Sequence, residues 1–204
     1  MNTKMQNNKP ARRLLILLLT AVLKLMSIGC SSEKTICGIK TSYEDVIVSE
    51  NSLDKKIEEF FLLLPEHYQE KIKEEKFKIV ITGMAIDEKF EGRVSPGTIG
   101  LTDLGSRTIY VQQDELDCLL HELCHACCFN KNTQSSFYIH YEGCEEEMKE
   151  SNMDNYYTDS YDEYIVQSMS LYLRDSSCLD DFPITKFTVE EMLSGTDWIY
   201  ENEK

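Results

Sequence analysis

The chain has 204 residues, enough for one domain plus a targeting segment. It carries 36 acidic against 21 basic residues, a formal net charge of −15. Residues 1–29 hold five of the basic residues and none of the acidic ones, so the remainder stands at 16 against 36, a net charge of −20. That excludes nucleic acid as a partner, because a phosphate backbone would be repelled, but it is ordinary for an exported soluble surface and does not itself identify a basic substrate.

Lys4, Lys9, Arg12 and Arg13 precede an apolar run from Leu14 to Leu23, the length of a secretory signal and too short to span a bilayer alone. Ser27-Ile28-Gly29-Cys30 then resembles a bacterial lipobox, with small residues leading to a cysteine that becomes lipidated. Ser27 stands where leucine is usual, and Lys24 interrupts the apolar run. An ordinary secretory signal and an uncleaved anchor are the alternatives; each places the rest of the chain outside the cytoplasm. Residues 1–29 are read as a lipoprotein-type signal peptide, 30–50 as a tether and 51–204 as the folded domain.

Within that domain Ser52 is placed to cap a helix with Leu53, Ile57, Phe60, Phe61 and Leu64 on one face, and Pro65 opens a second helix through Glu75. Phe77 to Thr82 reads as a strand. A turn-rich stretch follows, with a short strand near Thr98–Leu101, and Thr108–Gln112 is the next strand. Asp114 stands at the expected N-cap of a helix striped by Leu116, Leu119, Leu120 and Leu123. Residues 130–160 are polar and poorly periodic. Tyr161–Leu173 is helical, and Phe187–Glu201 makes a last, interrupted helix.

The central helix carries His121-Glu122-Leu123-Cys124-His125, an HExxH pattern expected by chance in roughly one chain in a hundred. Histidines four apart lie on one helical face, so both imidazoles can reach one metal ion. Glu122, offset around the helix, stands beside the metal as a base for water and not as a ligand. Catalytic Zn²⁺ takes a third protein ligand and leaves one position open. Six residues after His125 stands Lys131, which excludes a third histidine at the metzincin spacing. Glu145, Glu146, Glu147 and Glu150 compete for the role but lack an apolar face and read as a solvated acidic loop. Glu163, with Asp162 beside it, opens a helix packed by Ile165, Val166, Met169, Tyr172 and Leu173, and is the preferred ligand.

With Cys30 lipidated, seven cysteines remain, so at least one is free. Cys118, Cys124, Cys127 and Cys128 share one helix and read as small buried side chains. Cys144 and Cys178 are the better candidates for a bridge. Cys124-His125-Ala126-Cys127 is also a CxxC, but it lies well inside a helix and not at the N-terminus where thiol exchange operates.

Over residues 77–200 the chain resembles the zinc metallopeptidases related to the anthrax lethal factor catalytic domain and the bacterial Pro-Pro endopeptidases. Glu163-Tyr-Ile-Val-Gln-Ser-Met-Ser-Leu171-Tyr172 matches their second metal helix, 38 residues after His125. The chain departs from the pattern at Cys124, where glycine is usual, and at Val166-Gln167, in place of Ala-Glu. The resemblance implies a tyrosine seven residues before the glutamate as oxyanion donor, which is Tyr156, with Tyr157 adjacent. The expectation is therefore an α+β zincin-like domain, a small sheet over the HExxH helix. It is expected to act as a monomeric, membrane-anchored or secreted endopeptidase on protein or peptide substrates, with Zn²⁺ on His121, His125 and Glu163. A non-catalytic zinc-binding lipoprotein on a peptidase scaffold and a CxxC thiol–disulfide protein are the alternatives.

Overall fold

The computed structural model describes residues 32–131, 135–136, 143–151, 153–158 and 160–195, without the side chains of 135, 136, 155 and 156. The domain is α+β. Strands β1 (Ser32–Ile36), β2 (Ile39–Glu44), β3 (Lys78–Thr82), β4 (Gly100–Asp103) and β5 (Thr108–Gln112) form one mixed sheet in the order β1-β2-β3-β5-β4. The β2–β3 and β3–β5 pairs are parallel, and both edge pairs are antiparallel. Helices α1 (Glu50–Leu63) and α2 (Glu66–Glu74) cross from β2 to β3, and the short α3 (Ile86–Lys89) follows β3. After β5 come α4 (Leu119–Cys127), the small hairpin β6 (Phe129–Asn130) and β7 (Ser135–Ser136), then α5 (Cys144–Glu150), α6 (Asn155–Thr158), α7 (Tyr161–Arg174) and α8 (Pro183–Leu193). Among the described residues no helix is long and apolar enough to cross a membrane.

The sheet's packing follows from its side-chain alternation. Ile39, Tyr43, Ile79, Ile81, Ile109 and Val111 are buried in the same core as Leu53, Ile57 and Phe61 of α1 and Leu119, Leu120 and Leu123 of α4. Central β3 is buried on both faces at Ile79, Val80, Ile81 and Thr82, as a parallel strand covered from both sides must be. Eight of the nine residues of α4 are buried, and His125 is the one that keeps a small exposed fraction.

Four sequence expectations change here. Residues 32–44, assigned to the tether, are the first two strands of the sheet. Ile36 and Ile39 flank a two-residue turn in which Cys37 (φ 51°) and Gly38 (φ 85°) both take positive φ, the geometry of a tight hairpin. Asp114 does not cap α4. The chain already turns in a 3₁₀ helix over Gln113–Cys118, and α4 begins at Leu119. The acidic run at 145–150 is helix α5 and not a loop; Glu147 accepts from the backbone N–H groups of Ile184 (2.9 Å) and Thr185 (2.7 Å), capping the start of α8. That last helix runs Pro183–Leu193; residues 196–204 lie outside the described ones, as do 1–31 with the signal segment and Cys30.

Candidate metal centre

Two helices converge on the site. On α4, the His121 and His125 rings stand one turn apart, their Nε2 atoms 3.1 Å from each other. On α7, Glu163 sits in the first turn, where its backbone N–H donates to the N-cap hydroxyl of Ser160 at 3.2 Å. Its Oε2 lies 3.1 Å from His121 Nε2 and its Oε1 3.5 Å from His125 Nε2. Among the described residues these three form the one group of metal-ligating side chains that converges, all donor atoms lying within 4.8 Å of one another. Tetrahedral coordination at about 2.0–2.1 Å places donor atoms roughly 3.3 Å apart, close to the separations seen. The four carboxylates of the 145–150 segment do not join the group.

The electrostatics fit the same role. Burial acts to raise the Glu163 carboxyl, but hydrogen bonds and charge from both histidines outweigh it and hold it down to about 2. Burial acts to lower His125, yet the Glu163 hydrogen bond and the Glu122 carboxylate raise it overall. Two imidazole nitrogens facing each other beside a carboxylate bring three lone-pair-bearing atoms together, which shared N–H protons or a metal ion can hold at this spacing.

Several partners fix the frame around these three side chains. Arg174 at the end of α7 donates through Nη2 to the Asp117 carbonyl and lies over the Phe60 ring at 4.9 Å. Lys71 Nζ donates to the carbonyl of Cys127, the last residue of α4, at 2.7 Å. Gln167, one turn beyond Glu163, accepts from His121 Nδ1 with its Oε1 at 3.0 Å. Thr102 on edge strand β4 donates its hydroxyl toward Glu122, 2.7 Å from Oε2 and 2.9 Å from the carbonyl. A Cβ at Gly100, two residues earlier on the same strand face, would come within 2.6 Å of Glu122 Oε1 and 2.9 Å of Cys118 Sγ. Only glycine leaves room there for the carboxylate.

Glu122 lies between two lobes of one cleft. A lobe of about 350 Å³ is bounded by Val94, Leu101, Thr102, His125, Asp162 and Glu163. The other, about 300 Å³, is bounded by Pro96, Ile99, Cys118, His121, Asp154 and Tyr157. Tyr157 on α6 places its ring 5.5 Å from that of His121, centre to centre, and burial pushes its phenol up, so it is a proton donor at neutral pH. Tyr156, implied by the resemblance, is on the same short helix, but its side chain lies outside the described residues. Spacing alone had not brought Thr102, Gly100 or Gln167 to the site. The sequence signals for Gln167 are its i,i+4 position from Glu163 on a helical face and its place in the Val166-Gln167 departure from the Ala-Glu pair of the resembled family.

Among the described residues no cysteine joins the converging group. Cys124 and Cys127 are 0% and 1% exposed, and burial raises both thiols well above their ordinary range, the reverse of what thiol exchange requires. Cys144 and Cys178, expected as a bridge, are free thiols: Cys144 is buried in α5 with its sulfur 3.4 Å from the Thr188 hydroxyl, and Cys178 is exposed. The helix that buries Cys144 was not legible in a segment with little periodicity.

No known family model and no curated protein matches the chain. Among solved structures it is similar to the Pro-Pro endopeptidase PPEP-2 from Paenibacillus alvei, with a TM-score of 0.58 and 16% identity over 74% of this chain and 96% of that one. At that identity the likeness is one of fold: an α+β domain with a small mixed sheet, laid out as in an endopeptidase.

Proposed function

We propose that this chain is a zinc-dependent endopeptidase acting outside the cytoplasm, with His121, His125 and Glu163 as metal ligands and Glu122 as general base. The observation that carries the reading is the convergence of the three donor atoms beside Glu122 on a cleft floor. Two imidazoles and one carboxylate are a donor set that suits zinc and leaves a coordination position free. When bound, the ion polarises a peptide carbonyl and acidifies water. Glu122 then takes the proton from water and passes it toward the departing amine. Thr102 aims Glu122, and the Tyr157 phenol donates to the carbonyl oxygen as negative charge develops on it. The fold shared with an endopeptidase supports the reading at the level of scaffold.

The test is metal content and turnover together. The purified protein is expected to hold one equivalent of zinc after dialysis, and His121→Ala or His125→Ala to hold none. A proteome-derived peptide library read by mass spectrometry should be cleaved by the zinc-loaded protein and spared after chelation. Both histidine variants keeping a full equivalent would move the metal elsewhere; zinc bound with no cleavage would leave a non-catalytic scaffold. Because histidine must be unprotonated to ligate, zinc retention should fall as pH drops below about 6.

The location proposal rests on the basic N-terminus, the apolar run and Cys30. If Cys30 is lipidated, the wild-type protein partitions into detergent and Cys30→Ala accumulates as unprocessed precursor. A protein released into medium with its N-terminus away from position 30 would replace the lipid anchor by a plain secretory signal.

A further inference from the structure

We propose that Gln167 is the positioning residue of this metal centre, holding His121 through Nδ1 so that Nε2 is left free to ligate, and leaving the centre without the second negative charge a carboxylate would bring. The inference rests on the zinc reading of His121, His125 and Glu163. A ring nitrogen that donates to a fixed acceptor keeps its proton, and the tautomer so chosen exposes the opposite nitrogen as a lone pair. Gln167 Oε1 is that acceptor, 3.0 Å from His121 Nδ1. The buried Ser170 hydroxyl packs beside this amide, 3.1 Å from the Gln167 main-chain oxygen and 3.4 Å from Oε1. With the amide reversed, its NH₂ would donate to Nδ1, and the proton would move to Nε2, where it blocks the metal.

Helix α7 thus presents a ligand and a positioning group one turn apart, Glu163 to both Nε2 atoms and Gln167 to the far side of one ring. Glu163 is the one carboxylate in the ligand set, so a divalent ion there keeps a net positive charge. A neutral amide behind His121 does not add to the ring's electron density as a carboxylate does. The consequence is a more weakly held ion with stronger Lewis acidity.

The experiment measures zinc affinity by competition with a chromophoric chelator, alongside the ¹⁵N spectrum of the His121 ring in the zinc-loaded protein. Gln167→Leu, which has no acceptor, is expected to weaken zinc about ten- to a hundredfold and to lose the exchange-protected Nδ1–H signal. Gln167→Glu restores an acceptor and should bind at least as tightly as wild type, with the signal retained. The glutamate variant also guards against a leucine variant that fails to fold. Wild-type and leucine affinities that agree within twofold, or a glutamate variant as weak as the leucine one, would overturn the role of Gln167. A wild-type protein that binds no zinc fails one step earlier, at the ligand assignment itself, before any variant is compared.

Discussion

Glu122→Gln is expected to retain one equivalent of zinc and to lose about 10³-fold or more in kcat. The glutamine keeps the size of the side chain and can still pair with the Thr102 hydroxyl, but it cannot accept a proton. General-base catalysis typically contributes 10²–10⁴-fold, and a 10³-fold loss corresponds to about 4 kcal/mol of barrier. Metal binding should not change, because Glu122 turns to the cleft lobes and the edge strand while the three donor atoms converge without it. Zinc content and peptide cleavage measured on the same preparation separate the two effects. Full turnover in this variant would remove the proposed chemistry altogether. Loss of zinc together with turnover would make Glu122 part of the ligand frame.

The contrast between Glu122 and its supports marks where sequence reading works. The i,i+4 histidines and the intervening glutamate lie on one helix, and the period of that helix is enough to say which side chains share a face. Glu163 was reachable from the apolar residues that pack its helix. Strand β5 and helices α1 and α2 were likewise legible, since Thr108–Gln112 is short and β-branched and Leu53, Ile57 and Phe61 repeat at helical spacing. Thr102 and Gly100 are different in kind. Their importance comes from β4 lying against α4, a contact across 20 residues of chain that leaves no local trace in the sequence.

The first two strands were missed for another reason. Lys34, Thr35, Lys40, Thr41 and Ser42 dilute the alternation that marks a half-buried strand, so a five- and a six-residue strand read as polar lead-in. The turn between them is Cys-Gly, without the asparagine or aspartate that usually advertises a tight hairpin. Gln113 shows a similar limit. Its amide oxygen accepts from Ile47 N–H at 2.8 Å and from Val48 N–H at 3.4 Å, tying the loop after β2 to the approach of helix α4. A glutamine at the head of a helix gives no hint of such a partner 66 residues away.

Tyr157→Phe is expected to lower kcat roughly ten- to a thousandfold with KM little changed, while Tyr156→Phe stays within about twofold of wild type. The resemblance places the oxyanion donor seven residues before Glu163, at Tyr156. The ring beside His121 is that of Tyr157, one residue on. A one-residue offset between chains of low identity is small in sequence, and the two variants compared side by side decide between the two assignments. Phenylalanine keeps the Tyr157 ring against His121 and removes only the hydroxyl, so zinc affinity should hold. Substrate binding should hold too, because the donor matters when charge develops on the carbonyl oxygen and not before. The raised phenol keeps its proton well above neutral pH, so the wild-type donor should not titrate away across the neutral range. A loss confined to Tyr156→Phe would return the role to the residue the resemblance named. Full activity in both variants would show that the carbonyl oxygen is stabilised without either tyrosine.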